Sequence, residues 1–172
     1  LNIEVKSMKE FNIEEPIENG KSYSENALIK ARNVFRCCNL PTLADDSGFE
    51  LEELNKFPGL VSGRFADACG GYKNSFEILE KCITENRNAK ACTSMAFVFE
   101  KDSQVVEKIF DGNIEGKFIY PPRGTNGFGY CPYFKPDGYN ETFAEMNNEL
   151  RESINHRAVA LKKFSEFFKN NF

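Results

Sequence analysis

The chain has 172 residues, 41% hydrophobic and 28% charged, which suits one globular domain, in one or two lobes, able to bury roughly 70% of its unfolded surface. No apolar run nears the roughly 18 residues of a transmembrane helix, and LNIEVKSMKE lacks the apolar stretch of a signal peptide, so no membrane partner is expected. A net charge of −4, from 22 basic and 26 acidic side chains, argues against a nucleic-acid partner held by phosphate neutralisation, but not against an enzyme that screens a charged substrate with a divalent cation.

In chain order, Ile3–Met8 alternates weakly and reads as a strand, and EEPIENG (residues 14–20) reads as an acidic loop. Ser24–Cys38 reads as a helix: Ser24 is an N-cap type, and Glu25 sits in the first turn where the dipole favours an acid. Ala27, Leu28, Ala31, Val34, Phe35 and Cys38 recur on one face, and Asn39 with Pro41 stops the helix. Leu40–Ala44 is a short apolar segment, a candidate strand that delivers Asp45 and Asp46 at its C-terminal end, with Ser47-Gly48 as the closing turn. Phe49–Leu54 follows, then a loop with Pro58 and Gly59. Ser75–Thr84 is a second helix, with Phe76, Leu79 and Ile83 on one side. Ala91–Glu100 and Gln104–Ile114 are expected to form a hairpin over the tip Lys101-Asp102-Ser103. Pro121–Gly129 is a Pro/Gly-rich loop. Asn155–Phe168 closes the chain as a helix whose buried stripe is Ala158, Leu161, Phe164 and Phe168. Helices interleaved with strands predict an α/β fold.

The six cysteines show no Cys-x-x-Cys spacing, Cys37 and Cys38 are neighbours, and His156 is the one histidine. Neither a disulfide framework nor a zinc site is expected, and mostly buried thiols in a reducing cytoplasm are the simplest account.

The acid pair Asp45-Asp46 is the sharpest chemical feature. Adjacent carboxylates repel unless a cation lies between them or one is protonated, and Mg²⁺ takes oxygen ligands while holding phosphates. The same four residues, Asp-Asp-Ser-Gly, also favour a solvated turn. Glu18 lies in a loop before the first helix, and Glu25 and Lys30 stand about 140° apart around it, five steps of about 100°. In Arg123–Tyr130 three glycines permit close backbone approach, and Phe128 and Tyr130 offer a stacking face for a planar base. Asn155 is a plausible cap that puts His156 and Arg157 in the first turn of the last helix, against its dipole. With Arg151 they could read an acceptor edge such as a 6-oxo group.

The series SYSENALIKAR, LADDSGFELEEL, FPGLVSGRFA, GTNGFGYCPYFKPDG, TFAEM and NHRAVAL resembles the inosine-triphosphate pyrophosphatase family in order and spacing, over most of the chain from Glu18. The resemblance implies a mixed α/β fold with an elongated central sheet of mixed strand directions, two lobes with a cleft between them, and a homodimer. It implies Mg²⁺-dependent hydrolysis of ITP, dITP and XTP to the monophosphate and pyrophosphate. By motif, Glu18 and Asp46 correspond to the metal carboxylates, Asp46 to the base that activates water, and Asp45 to its support. Lys30 corresponds to a phosphate contact, Ser47 to a residue near the base or sugar, Phe128 to the stacking residue, and Gly129, Tyr130 and Cys131 after it to further substrate-binding positions. Arg151, His156 and Arg157 correspond to readers of the base edge.

The chain departs from the family pattern in several places. The family's Ser/Thr-x-Asn-x-x-Lys phosphate loop and its strand have no counterpart, because the sequence opens at Leu1 near the point where the second strand is expected; an N-terminally truncated product or a misplaced gene start is the expectation. Cys131 stands where the family has Asp, Arg151 where it has Lys, Asn155 where it has Ser, and Gly63 where Ala is common. These departures leave two alternatives, a catalytically impaired nucleotide-binding dimer and a related pyrophosphatase with another base preference.

Overall fold

The structure, a computed structural model, describes residues 3–172. Helices α1 (Tyr23–Cys38), α2 (Ser62–Ala68), α3 (Tyr72–Cys82), α4 (Asn148–Ile154) and α5 (His156–Asn171) accompany strands β1 (Thr42–Leu51), β2 (Pro58–Gly59), β3 (Asn88–Lys101), β4 (Gln104–Phe118) and β5 (Phe134–Pro136). The strands form one sheet in the order β2-β1-β3-β4-β5. Phe49 pairs with Gly59 and Gly116 with Pro136, both in antiparallel ladders. The two-residue β3–β4 connection demands an antiparallel pair as well. The α/β class stands, and the mixed strand directions implied by the resemblance are absent from these three pairings.

Local chemistry explains where the elements begin and end. Ser22, not Ser24, caps α1: its backbone is extended and its hydroxyl accepts from Glu25 N at 3.2 Å. Asn39 ends α1 in the left-handed region at φ 55°, with its N–H on Phe35 O. The tip of the β3–β4 hairpin is narrower than expected, since Asp102 and Ser103 alone turn the chain with φ of 51° and 60°.

Several expectations are corrected. Residues 3–7 form no strand; Ser7 and Glu10 cap a 3-10 turn, Met8–Phe11, through a reciprocal capping box. Pro58 and Gly59 form a two-residue strand rather than loop. Helix α3 starts earlier than Ser75 and ends at Cys82, where Ile83 turns extended. The seven-residue helices α2 and α4 are too short for a periodic apolar stripe to reveal them. In α5 the buried positions are His156, Ala160 and Phe164, whereas Leu161 is 47% exposed.

Tertiary contacts divide the chain into two units, and β1, β3, β4 and α5 each contribute to both. The first comprises Leu1–Asp46, Thr93–Gly112 and Ala160–Phe172. Its described core has two clusters, one of Ala27, Ala31, Phe35, Ala96 and Val98, the other of Phe97, Phe99 and Phe164. The second comprises Ser47–Cys92 and Asn113–Val159 and packs around Phe49, whose ring lies 5.5 Å from Phe76, 5.1 Å from Tyr130 and 5.7 Å from Phe134. Burying each such aromatic contributes about 1.5–3 kcal/mol.

Candidate active site

In the first unit, Asp46 is the centre of a polar cluster. It stands in the interior of β1, not in a turn after it: the strand continues to Leu51, and only Asp46 of the acid pair is buried. Successive side chains of a strand leave opposite faces, so Asp45 and Asp46 diverge. Asp46 meets α1. Lys30 Nζ donates to Asp46 Oδ1 at 3.1 Å and lies 3.2 Å from Glu18 Oε1, so two carboxylates converge on one ammonium. Asn26 Nδ2 donates to Asp46 Oδ2 at 3.1 Å. Asp45 instead accepts from Thr93 Oγ1 at 3.4 Å, a hydroxyl that also donates to the Asp46 carbonyl at 3.2 Å. Ser47 shares the Asp45 side of the strand by the same alternation and is half-buried.

Asn26 escaped the sequence reading, yet it is fully buried and organises the cluster. Its Oδ1 accepts from Gly20 N at 2.9 Å while its Nδ2 holds Asp46, which ties the Glu18 loop to the carboxylate. A Cβ on Gly20 would stand 2.6 Å from Asn26 Oδ1, so this approach needs glycine. The available signal was spacing: Asn26 and Lys30 are i and i+4 on one helix face. Glu25 points elsewhere and accepts from Lys21 N at 2.6 Å, a cap rather than a partner of Lys30.

In the second unit, a cavity of about 140 Å³ is lined by Phe128, Tyr130, Cys131, Arg151, His156 and Arg157, with Phe143, Glu152 and Asn155 completing the wall. A cavity of about 150 Å³ holds a benzene-sized ring, so this one matches a planar ring. Phe128 is 73% exposed and offers a free ring face. Tyr130 does not, because its ring stacks on Phe49; its hydroxyl reaches His156 Nε2 at 3.0 Å, and burial pushes its pKa up. Arg157 Nη1 lies 3.3 Å from the same Nε2, and since a guanidinium only donates, the lone pair is assigned there. Asn155 caps α5, accepting from Ala158 N at 2.8 Å, which fixes His156 and Arg157 in its first turn.

Arg151 is the chemically incomplete member of the wall. Its Nε and Nη2 donate to Glu152 Oε1 at 3.1 and 3.0 Å, but Nη1 is buried with no hydrogen-bond partner. A buried unsatisfied charged donor costs more than the ~1–3 kcal/mol of a neutral one, so an acceptor that reached Nη1 would be favoured. The loop that ends in this pocket is pinned: Thr125 N and Asn126 N both donate to Ala144 O, at 3.1 and 3.0 Å. Gly129 lies beside the Tyr72 ring and is not part of the wall.

The geometry therefore gathers the sequence candidates into two groups. Glu18, Lys30 and Asp46 form one, and Phe128, Tyr130, Cys131, Arg151, His156 and Arg157 the other. Gly129 is outside the pocket lining, and Asp45 meets Thr93, whose hydroxyl also reaches the Asp46 carbonyl.

Comparison with known proteins follows the same lines. Residues 1–167 match the model of the Ham1 family. A dITP/XTP pyrophosphatase of Agrobacterium fabrum is 36% identical over 179 residues, covering 94% of this chain and 82% of that protein. One from Clostridium tetani is 38% identical and covers 99% of this chain and 86% of its own. The structure of a HAM1 protein from Coxiella burnetii superposes with a TM-score of 0.87 at 34% identity, covering 99% of this chain and 88% of that one. The chain belongs to the Ham1 family, the inosine-triphosphate pyrophosphatase family that its motifs resemble.

Proposed function

We propose that this protein is a Mg²⁺-dependent nucleoside triphosphate pyrophosphatase that hydrolyses aberrant purine nucleotides, ITP, dITP and XTP, to the monophosphate and pyrophosphate. The observation that carries the reading is the buried, unpartnered Nη1 of Arg151 in the wall of a ring-sized pocket. A fixed donor there rewards the acceptor oxygen at the 6-position of hypoxanthine and xanthine and leaves the amino group of adenine opposed to another donor. Phe128 supplies the stacking face, and His156 and Arg157 the polar rim.

Mg²⁺ fits the acidic cluster. Glu18 and Asp46 already direct one oxygen each at a single cation, the ammonium of Lys30, and an all-oxygen donor set suits a hard ion. Among the described residues no group of three or more acidic, Cys or His side chains could hold a metal alone, which accords with an ion that completes its shell from water and substrate phosphates. Glu18 and Asp46 would hold it, and when bound it neutralises phosphate charge. Asp46 accepts the proton of the attacking water, Asn26 keeps the carboxylate aimed, and Lys30 contacts phosphate as a point charge. Asp45 supports Asp46 from the other face of the strand, where it accepts from Thr93.

The test is pyrophosphate release from ITP, XTP, GTP and ATP with Mg²⁺. Preferential release from ITP and XTP is expected; equal or absent turnover of all four overturns the reading. A cytoplasmic location accords with six free cysteines and with the absence, among the described residues, of a helix able to cross a membrane. Homodimerisation is proposed on the family resemblance and is tested by light scattering.

A further inference from the structure

Two neighbouring atoms set the polarity of one corner of the pocket wall, the donor already assigned to the base edge and a thiol beside it. Arg151 Nη1 is buried without a partner, while Nε and Nη2 are taken by Glu152. Beside it lies the thiol of Cys131: a Cβ placed on Gly127 would be 2.8 Å from Cys131 Sγ and 2.9 Å from Arg151 Nη1, so both atoms flank one point. A thiol is a weak donor and a weak acceptor. Burial pushes the Cys131 pKa up, which keeps it a neutral thiol. The carboxylate in the lining, Glu152, already receives Arg151 on Oε1 and Asn155 Nδ2, at 2.9 Å, on Oε2. This side of the wall therefore offers a charged donor and no uncommitted anion.

We propose that Cys131 and Arg151 together make the pocket select a 2,6-dioxo purine, xanthine, over purines with hydrogen or an amino group at the 2-position. Xanthine brings two carbonyl acceptors and readily loses a ring proton near neutrality, giving anionic oxygen that is a stronger acceptor for the open Nη1 of Arg151. Hypoxanthine brings one carbonyl. Guanine adds an amino donor that the thiol cannot satisfy. The inference rests on the reading of this pocket as the base site of a pyrophosphatase, and it names the base.

The experiment is calorimetric titration of XMP and IMP into the wild-type protein and two variants at neutral pH, alongside kcat/KM for XTP and ITP. Wild type is expected to bind XMP at least about tenfold more tightly than IMP, the scale of one charged hydrogen bond. Cys131→Asp places a carboxylate beside Nη1, which satisfies it and repels the anion, so the preference falls to within about twofold. Cys131→Ser, near-isosteric and uncharged, keeps it, and with wild type it decides the matter if Cys131→Asp does not fold. Equal binding of XMP and IMP to wild type, or an undiminished preference in folded Cys131→Asp, overturns the inference. If XMP is preferred as expected but neither triphosphate is hydrolysed with Mg²⁺, the selectivity stands and the pyrophosphatase reading alone fails. If both triphosphates are hydrolysed but bind and react equally, the selectivity alone fails.

Discussion

The acidic cluster and the ring pocket solve opposite problems. Around Asp46, each carboxylate oxygen already has a donor, Lys30 on Oδ1 and Asn26 on Oδ2, so the proposed base is held in place. In the pocket, Arg151 Nη1 is left buried and unsatisfied. The first arrangement suits a group that must be held still during chemistry. The second suits a group that recognises an acceptor, the role proposed for Arg151. Chemistry and selection are thus separable, and substitutions should move one without the other.

The largest expected effect is on the chemistry. Asp46→Asn keeps the shape and removes the base, and kcat is expected to fall about 10²–10⁴-fold with the far-ultraviolet dichroism unchanged. Retention of most of the activity would take Asp46 out of that role. Next is the pocket's backbone. Gly127 has a φ of +80°, and a Cβ there would press on Cys131 Sγ and Arg151 Nη1, so Gly127→Ala is expected to raise KM about tenfold and cost about 1–3 kcal/mol of stability. An unchanged KM in denaturant-stable protein would show that the wall tolerates the shift.

A smaller effect belongs to the cap that orients His156 and Arg157. Asn155→Ala removes the bond from Ala158 N and should cost about 1 kcal/mol by chemical denaturation, with a rise in KM and little change in kcat. The smallest concerns neither site. Arg32 grips Glu107 through two bonds of 2.6 Å and holds its carboxyl below the usual range. Because the folded-state pKa is depressed, this stabilisation is present above the unfolded carboxylate value of about 4.3 and disappears as pH falls through the folded value. Glu107→Gln should therefore cost up to about 1 kcal/mol at neutral pH and nothing in strong acid, a difference read from Tm at the two pH values.

Much of this division was legible in the sequence. Apolar spacing located α1, the β3–β4 hairpin and α5, and capping chemistry put His156 and Arg157 in the first helical turn. The acid pair was legible as chemistry but not as geometry. Asp, Ser and Gly favour turns locally, yet in Asp45–Gly48 the neighbouring strands of the sheet override that preference, and the resulting alternation separates Asp45 from Asp46. Asn26 stayed hidden because a buried amide inside a helix looks like a neutral surface residue until its partners arrive from Gly20 and Asp46. Likewise, nothing in the spacing of Phe128 and Tyr130 indicated that one ring is exposed while the other is stacked into the core on Phe49.

The separation of roles has one direct measurement: the ratio of kcat/KM for ITP to that for ATP in wild type, Asp46→Asn and Arg151→Met. The account predicts that Asp46→Asn lowers both values and leaves the ratio unchanged. Arg151→Met should lower ITP turnover by roughly tenfold or more and bring the ratio towards one, with ATP turnover unaffected. A ratio that shifts in Asp46→Asn, or an Arg151→Met variant that loses both substrates equally, would contradict it.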